Sequence, residues 1–507
     1  MPPHPDLAAS SRHGSASIRW IAALALAVVA GALVAPTPAS AATEDHVTAI
    51  VSAKADWTSS GGQSQDARLA SDGRFVAFTS TSFTLVSGVT TTFRHVYLHD
   101  LWTDEKWLVS HDQDGVENKV EARASAITKT GSHVAFVTKA KLDPADTNSN
   151  WDVYVWTRAT DEVELVSKGA SGAIGNGDSG LVNSTPMVAI SDDGRYVAFS
   201  SEATNLTFAT DSNTSADVFR RDRQSAVTSW ISLNGAQQLN GDSTEPDMSA
   251  NGRYLTFTTA ATNLPGTDTN GGTDVWLRDT NNISPEKVSI GLDADANGGS
   301  RRSKVSDDGN LVVFQSAASD LVSSDTNSTV DIFQRNRTGG TTTRLSVHDT
   351  TGAQLDSAST DPDMSPTGSR VAFTSAAAAT SASTAGTRSI FVRSGSTTSL
   401  ASVTTAGGLL TDDSENPSID SSGDVAWTSD GKFAATDTNS LYDVFVRQSL
   451  FLGPFTNVDT FVTTQYQRFR GVAPTAAAVT AEAKLIRSGA SPLHLIVTLS
   501  DEAAFSA

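Results

Sequence analysis

The chain of 507 residues has no cysteine, only four methionines and a shortage of positive charge, with 36 basic residues against 56 acidic ones. Without cysteine it is neither a disulfide scaffold nor a metal-thiolate protein, so packing must stabilise its fold. A net charge of −20 repels phosphate backbones, which excludes a basic nucleic-acid-binding protein. We therefore expect no nucleic-acid partner and no required cofactor.

Long hydrophobic runs are also absent, apart from the segment Trp20–Val34 near the N-terminus. Arg12 and Arg19 precede this segment, and small residues ending at Ala41 follow it. The run holds about 15 apolar residues, fewer than the roughly 20 that a membrane-spanning helix needs. The pattern is typical of a secretory signal peptide, residues 1–41. We expect a secreted, extracellular protein, either free or associated with the cell surface, with no membrane span after cleavage.

One phrase, a turn followed by an apolar strand, recurs along most of the chain. Examples are SDGRFVAFTS from Ser71, SDDGRYVAFSS from Ser191 and SPTGSRVAFTS from Ser365. A repeat of this kind indicates a repeat architecture rather than three or four ordinary domains. The phrase returns every 55 to 63 residues, and each copy contains one turn glycine: Gly73, Gly131, Gly194, Gly252, Gly309, Gly368 and Gly423.

Each repeat has the pattern of four short strands. The turn glycine joins the first two strands, as Asp-Gly and Asn-Gly turns do in hairpins. The third strand alternates apolar and polar residues, as in DVFRR from Asp217, and the fourth ends in a phrase such as VELVS, which closes at Ser167. Seven four-stranded antiparallel units predict an all-β fold, a seven-bladed β-propeller over residues 42–450.

The two ends of the repeat region complement each other. The seventh unit stops after its third strand, Asp443–Arg447, whereas His46–Ser52 (HVTAIVS) has the pattern of a fourth strand without a unit of its own. We therefore expect the N-terminal strand to complete the last blade and close the ring. Closure in this way removes two exposed sheet edges.

The repeat phrases also carry a family resemblance. The phrase S-x-D-G-R-x-V-A-F, followed by D-V-F-x-R and a threonine-rich fourth strand, resembles the WD-repeat-like propeller repeats of the TolB type. It resembles more closely the repeats of secreted bacterial proteins, often actinobacterial, that are built from such units. The resemblance covers residues 42–450 and implies the propeller fold, but it implies little about function.

The last segment, residues 451–507, follows a different pattern. Further helices are expected after Pro474 and Pro492, because proline suits a first helical turn. We predict a small helical module, which resembles a module of unassigned function in secreted and surface-associated bacterial proteins. The first helix is predicted from apolar residues at helical spacing: Val458, Phe461, Val462, Tyr466 and Phe469.

The motif Asp-x-Asn-x-x-x-Asp stands in five repeats and ends at the first residue of the third strand. Oxygen ligands at such a spacing suit calcium, which is abundant outside cells. The spacing is not that of an EF-hand, however, and the same side chains commonly bond to backbone amides in turns. Calcium sites and purely structural turns both remain open. We expect these loops to share one face of the propeller and to make it acidic, through Asp146, Asn148, Asp152, Asp211, Asn213, Asp217, Asp268, Asn270, Asp274, Asp325, Asn327, Asp331, Asp437, Asn439 and Asp443.

A row of arginines accompanies this motif. Residues i and i+4 lie on the same face of a strand. Four of the five third strands that contain these arginines begin with an aspartate, so we expect a ladder of ion pairs within or between blades. The arginines, each four residues after the start of a third strand, are Arg221, Arg278, Arg335, Arg393 and Arg447.

The sequence contains no G-x-S-x-G, no phosphate-binding glycine loop and no H-E-x-x-H. It favours a non-enzymatic, monomeric propeller that binds an extracellular protein or glycan through its loops or its central channel. Two alternatives remain open. One is a polysaccharide lyase or hydrolase with its site at the channel mouth, and the other is a cell-surface scaffolding protein attached through the C-terminal helices.

Overall fold

The computed structural model describes residues 45–54, 58–169, 171–182, 185–266, 268–293, 295–404, 407–434, 437–450, 458–470 and 473–487. The chain divides into two compact units, one all-β and one that contains the helices. The predicted signal peptide, residues 1–41, and the predicted helix after Pro492 lie outside the described residues.

The all-β unit contains seven four-stranded antiparallel sheets, which are the blades of the predicted propeller. Blades 1 to 3 consist of β2 (Ser64–Leu69), β3 (Phe75–Ser80), β4 (His95–Asp100) and β5 (Lys106–Leu108); β6 (Ala122–Ile127), β7 (His133–Thr138), β8 (Asp152–Thr157) and β9 (Glu162–Leu165); and β12 (Val188–Ile190), β13 (Tyr196–Ser201), β14 (Asp217–Asp222) and β15 (Val227–Trp230). Two short hairpins join β10 (Leu181–Val182) to β11 (Thr185–Pro186) and β16 (Leu233–Asn234) to β17 (Gln237–Gln238).

The remaining blades repeat the same order of strands. Blades 4 to 6 consist of β18 (Ser243–Met248), β19 (Tyr254–Thr259), β20 (Asp274–Asp279) and β21 (Glu286–Lys287); β22 (Ser300–Val305), β23 (Leu311–Ser316), β24 (Asp331–Asn336) and β25 (Thr341–Arg344); and β26 (Ser359–Met364), β27 (Arg370–Ser375), β28 (Ser389–Ser394) and β29 (Thr397–Leu400). Blade 7 consists of β30 (Ser414–Ile419), β31 (Val425–Ser429), β32 (Asp443–Leu450) and the N-terminal strand β1 (Asp45–Ile50).

The second strand of each blade is buried almost from end to end, because its residues are mainly apolar or small hydroxyl side chains. In six blades its central aromatic residue packs on the aromatic residue opposite it in the third strand, with ring centroids 5.8 to 6.2 Å apart. Such offset contacts between large rings stabilise the core beyond the area they bury. The Val-Ala-Phe phrase of the sequence is therefore the core of each blade.

The turn glycines lie where one blade meets the next. All seven have φ between 60° and 101°, a region that side chains beyond glycine rarely adopt. In blades 2 to 6 a Cβ at the glycine would approach the preceding blade's second strand to within 2.3 to 2.6 Å. The repeated glycine is thus required both by the turn and by the close approach of two blades.

The ring closes as the sequence predicts. β1 pairs with β32, so the order of strands in blade 7 is β1, β32, β31, β30. Beyond the strand itself, the Val51 N–H donates to the Val444 carbonyl at 2.7 Å and Ser52 Oγ donates to Asp443 Oδ1 at 2.6 Å. The prediction of N-terminal closure is confirmed.

Two aspartates near the turn glycine of blade 1 give the junction of blades 7 and 1 a pH dependence. Asp420 Oδ1 accepts the Ser422 and Gly423 N–H groups, and Asp424 Oδ1 accepts the Ser449 N–H at 2.8 Å. Burial raises the pKa of Asp424 to about 7, and the charge of Asp420 adds to the increase. The folded state therefore binds a proton more tightly than the unfolded state, and stability falls as the pH rises from about 4 to about 7.

We expect Asp424→Asn to raise the free energy of unfolding at pH 8 by about 1 to 3 kcal/mol, since each unit of pKa difference corresponds to about 1.4 kcal/mol. At pH 5 the carboxyl group is protonated and the variant should match the parent. Urea unfolding at both pH values measures the effect. Asp114→Asn, at an exposed aspartate, is the control and should leave the pH profile unchanged. An identical loss of stability at the two pH values would contradict the assignment.

The second unit contains α1 (Val458–Arg470) and α2 (Ala476–Arg487), in agreement with two of the predicted helices. Tyr466 Oη lies 3.4 Å from Glu482 Oε1, which links the two helices. Within the part of the chain that the structure describes, no helix has the length and apolar character needed to cross a membrane.

Candidate functional site

The first strands of the blades surround a cavity of about 140 Å³. All seven blades contribute to its lining, which places it on the propeller axis. Near blades 2 and 3 the wall is uncharged, with Ser125, Met187 and Val188, whereas blades 1, 4, 5 and 6 contribute charged side chains. A cavity with one apolar and one charged wall is the arrangement expected of a ligand site. We call it the axial cavity.

Strained backbone directs several of these charged side chains. Five first strands carry a register shift at the same place, with a residue other than glycine at φ between 53° and 58°. The left-handed conformation costs about 1 kcal/mol or more at each such residue, and strain of this kind concentrates at functional sites. A bulge also redirects a side chain. The five residues are Asp66, Glu245, Arg302, Asp361 and Asn416, of which the last four line the axial cavity.

Ion pairs connect the first strands of blades 4, 5 and 6 across the axial cavity. Arg302 pairs with Asp361, and its backbone N–H donates to Glu245 Oε2 at 2.8 Å. Two residues further along each strand, Lys304 Nζ lies 3.1 Å from Asp247 Oδ1 and 4.0 Å from Asp363 Oδ1. The two basic residues that blade 5 contributes to the axial cavity, Arg302 and Lys304, are therefore each placed between carboxylates of the neighbouring blades.

The two carboxylates around Lys304 also bond to the next blade, which fixes their positions. Asp247 Oδ2 accepts the Val305 N–H, and Asp363 Oδ2 accepts the Ile419 N–H, both at 2.8 Å. Burial raises the pKa of Asp247 and outweighs the opposing effect of Lys304. Burial alone would lower the pKa of Lys304, but Asp247 and Asp363 together raise it. The lysine is therefore charged at neutral pH and held in place before any ligand arrives.

Arg68 differs from the other cations of the axial cavity. Its Nε donates to the Ser125 carbonyl at 2.9 Å and its Nη1 to the Ala67 carbonyl at 2.8 Å. Among the described residues no carboxylate lies within 4.0 Å of its guanidinium nitrogens. Backbone carbonyls thus hold the side chain in one position while its charge has no ionic partner. A guanidinium in this state is suited to pair with a carboxylate or phosphate from outside.

Sequence reasoning named the central channel as a possible binding place but identified none of the residues of the axial cavity. Its residues lie just before each turn, in triplets such as Asp66–Arg68, Glu245–Asp247 and Arg302–Lys304. Charged residues at alternate positions of a strand that precedes an apolar hairpin were the available signal. Their convergence could not be read from one repeat, because it requires seven strands brought together by ring closure.

The structure places the aspartate at the start of each third strand against the serine that follows the fourth strand. In all five blades with the acidic motif, the serine hydroxyl donates to Oδ1 of this aspartate. The aspartates themselves are buried. The bonds are Ser167 to Asp152 at 2.5 Å, Ser232 to Asp217 at 2.7 Å, Ser289 to Asp274 at 2.9 Å, Ser346 to Asp331 at 2.5 Å and Ser52 to Asp443 at 2.6 Å.

The asparagines of the motif connect each loop to the segment that leads into the next blade. Asn213 Oδ1 accepts the Ser215 N–H at 2.9 Å, and its Nδ2 donates to the Leu239 carbonyl at 2.8 Å. The same two kinds of bond recur at the other four asparagines. These bonds give every motif a structural role, as the turn alternative predicts.

The first aspartates of the motif are also turned inward. Asp146 and Asp437 are buried, and Asp211, Asp268 and Asp325 are half-buried. The expectation that these loops present an acidic face is therefore wrong for the motif residues, because their carboxylates accept hydrogen bonds within the loops. Burial raises the pKa of Asp152 and Asp443 to about 7 and that of Asp217 to about 6. Calcium at these fifteen residues stays a prediction.

The predicted row of ion pairs at the arginines is wrong. Arg221 Nη1 lies 3.2 Å from Thr228 Oγ1, and the same contact with a fourth-strand threonine recurs at Arg335, Arg393 and Arg447. The threonine lies directly across the sheet from the arginine and is closer to it than the aspartate four residues earlier on the same strand. That aspartate is already bonded to a serine. Arg278 instead donates to the Leu233 and Ile283 carbonyls.

No protein-family model matches the chain, and no curated protein matches it. Among solved structures it is similar to TolB from Acinetobacter baumannii, with 14% identity and a TM-score of 0.36 over 65% of this chain. The chain covers 63% of the length of that TolB. It is also similar to oligogalacturonate lyase from Vibrio parahaemolyticus, with 11% identity and a TM-score of 0.46 over 80% of this chain and 97% of that one. A prolyl endopeptidase gives 7% identity and a TM-score of 0.46 over 78% of this chain and 51% of that one. At these identities the similarity concerns the propeller fold alone.

Proposed function

We propose that the protein is a secreted, non-catalytic propeller that acts outside the cell and binds an extracellular protein or glycan at its axial cavity. One observation carries the proposal: four charged or polar side chains, placed by strained backbone, converge there from different blades. Strain repeated at equivalent positions is retained when the arrangement it produces is useful. We infer that the protein works as a monomer.

The size of the axial cavity limits what it can hold. Sites for drug-sized ligands commonly measure about 300 to 1,000 Å³. The axial cavity, at about 140 Å³, suits a chain end or one residue of a larger partner. Arg68 has no ionic partner within the described part of the chain, so we infer that the bound end carries a carboxylate, as a peptide terminus or an acidic sugar does.

A binding screen tests this proposal. The protein is applied to arrays of acidic oligosaccharides and of peptides with free C-termini, and the affinity for each hit is then measured by calorimetry. We expect Arg68→Ala to weaken binding of the hits by tenfold or more, which corresponds to about 1.4 kcal/mol. Lys141→Ala is the matched control, because Lys141 is an exposed cation in the loop after β7 and should not affect binding.

Two results would overturn the proposal. Equal loss of binding in the Arg68 and Lys141 variants would place the ligand elsewhere. Conversion of any array compound to product by the parent protein would show that the protein is an enzyme. Peptides with free C-termini and acidic oligosaccharides are separate arms, so the screen also distinguishes a protein partner from a glycan partner.

A further inference from the structure

The five acidic loops differ in one respect that their sequence motif does not reveal. In each, Oδ1 of the aspartate that opens the third strand accepts the serine hydroxyl, and that serine oxygen accepts the next backbone N–H of the strand. These two bonds fix the carboxylate in the same orientation in every blade. The second oxygen, Oδ2, is therefore directed to an equivalent place in all five blades. We call this place the loop pocket.

In blades 4 and 5 the loop pocket contains a cation that belongs to the chain. Lys287 Nζ lies 2.7 Å from Asp274 Oδ2 and also contacts Asp295. Carboxylate oxygens of Asp268, Asp274 and Asp295 lie within 4.8 Å of one another, and the lysine neutralises this cluster. In blade 5 the guanidinium of Arg344 lies 3.9 Å from Asp331 Oδ2.

In blade 5 amides add to the cation at the loop pocket. Gln354 Nε2 and Asn327 Nδ2 also donate to Asp331 Oδ2, at 3.1 and 3.2 Å. In blade 7 the carboxylate oxygen accepts a hydrogen bond from an amide instead of contacting a cation: Asn439 Nδ2 donates to Asp443 Oδ2 at 3.1 Å. Three of the five loop pockets therefore satisfy Oδ2 from within the chain.

Among the described residues, blades 2 and 3 have no cation of the chain at this place. Hydrogen bonding from Asn148 to Asp152, and from Trp230 and Gln238 to Asp217, lowers the pKa of each aspartate, but burial outweighs it and leaves both pKa values raised. The position of Lys287 is taken by Leu165 in blade 2 and by Trp230 in blade 3. Asp152 is 0% exposed and Asp217 is 1% exposed, yet Oδ2 of each has no hydrogen-bond partner among the described residues. A buried carboxylate oxygen without a partner is costly, and such groups are normally paired or coordinate a metal.

We propose that the loop pockets of blades 2 and 3 each bind one external Ca²⁺, in the place that the chain's own cation fills in blades 4 and 5. Asp146 with Asp152, and Asp211 with Asp217, would supply carboxylate oxygens, the donors that calcium prefers. The full set of five loops is then divided into two that take calcium and three that do not. This inference goes beyond the proposed ligand binding and involves none of the residues of the axial cavity.

Equilibrium dialysis against radioactive calcium tests the proposal on the secreted protein after treatment with a chelator, at pH 8. We expect two sites with a dissociation constant of about 0.1 to 1 mM, the range of extracellular calcium modules. Asp152→Asn and Asp217→Asn should each remove one site. Asp274→Asn changes the equivalent aspartate of a lysine-filled pocket and should leave the number of sites unchanged.

A second pair of variants exchanges the cation itself. Leu165→Lys gives blade 2 the lysine of blade 4, and we expect it to lose one calcium site, with a lower melting temperature because Leu165 is buried in the core of the blade. Lys287→Leu should gain one site, because a cavity of about 380 Å³ lined by Asp268, Asp274 and Asp295 adjoins the lysine.

Three results would overturn the proposal. The first is absence of bound calcium at about 10 mM, well above the expected dissociation constant. The second is equal loss of sites in the Asp152, Asp217 and Asp274 variants. The third is a melting temperature at pH 8 that does not respond to calcium in the parent protein. A failure of the array screen leaves these measurements unaffected, because the two sites share no residue.

Discussion

Gly252→Ala will lower the free energy of unfolding by about 2 to 5 kcal/mol, a large effect for a single added methyl group. One part of the cost is conformational, because φ at Gly252 is 73° and an alanine there loses about 1 to 2 kcal/mol. The other part is steric. A Cβ at Gly252 would lie 2.4 Å from Cδ2 of Tyr196 in the preceding blade, and overpacking of this kind costs about 1 to 3 kcal/mol.

The Tyr196 ring has little freedom to move away. The guanidinium of Arg195 lies 4.8 Å from the ring centroid and that of Arg220 lies 4.5 Å from it. Cation–π contacts on the ring hold it in place. The added methyl group must therefore push two blades apart.

Gly235→Ala is the matched control. Gly235 has φ of 63°, but no atom lies within 4 Å of a Cβ built on it. Urea unfolding should show a cost of about 1 to 2 kcal/mol there, the conformational part alone. In the Tyr196→Ala background the cost of Gly252→Ala should fall towards that of the control. If Gly252→Ala and Gly235→Ala cost the same, the blades do not meet as closely as described.

Removal of residues 42–56 is expected to make the protein aggregate. The deletion removes β1, whose Val47, Ala49 and Ile50 are buried, and with it the hydroxyl of Ser52 that bonds to Asp443. Each large apolar side chain contributes about 1.5 to 3 kcal/mol when buried. The exposed edge of β32 would then pair with other chains.

Light scattering and thermal melting measure the outcome. A variant that begins at residue 42 keeps β1 and should neither aggregate nor melt at a lower temperature than the parent. Addition of a peptide of residues 42–56 to the shortened protein should restore part of the lost stability, because the missing strand is supplied from outside. A shortened protein that stays monomeric and melts at the parent's temperature would refute closure by β1.

The fold could be predicted because each repeat contains its own evidence. The turn glycine, with φ of 60° or more, the Val-Ala-Phe strand and the serine after the fourth strand are local signals, and they recur from repeat to repeat. The partner of the last strand could be predicted for a related reason. His46–Ser52 ends in the same Val-Ser phrase as the other fourth strands, and Ser52 makes the same bond to Asp443.

The candidate site could not be predicted in the same way. Arg68 and Lys304 are 236 positions apart, and only ring closure brings them to one cavity. The left-handed backbone at Glu245 and Arg302 leaves no mark on the sequence, since neither residue is glycine. The prediction of ion pairs at the arginines was wrong for a different reason. A search along one strand ignored the threonine opposite, such as Thr228 beside Arg221, which is the nearer neighbour.

The pairing of β1 with β32 also sets the order in which the protein can be completed. Ser52 and Asp443 are separated by 391 positions, so the strand made first waits for almost the whole repeat region to be synthesised. At about 5 to 20 residues per second this interval lasts roughly 20 to 80 seconds. During that time six blades can assemble from local contacts, but β1 remains an unpaired strand with its apolar side chains exposed. Docking of β1 onto β32 closes the longest loop in the fold, so we expect it to be the last step of folding.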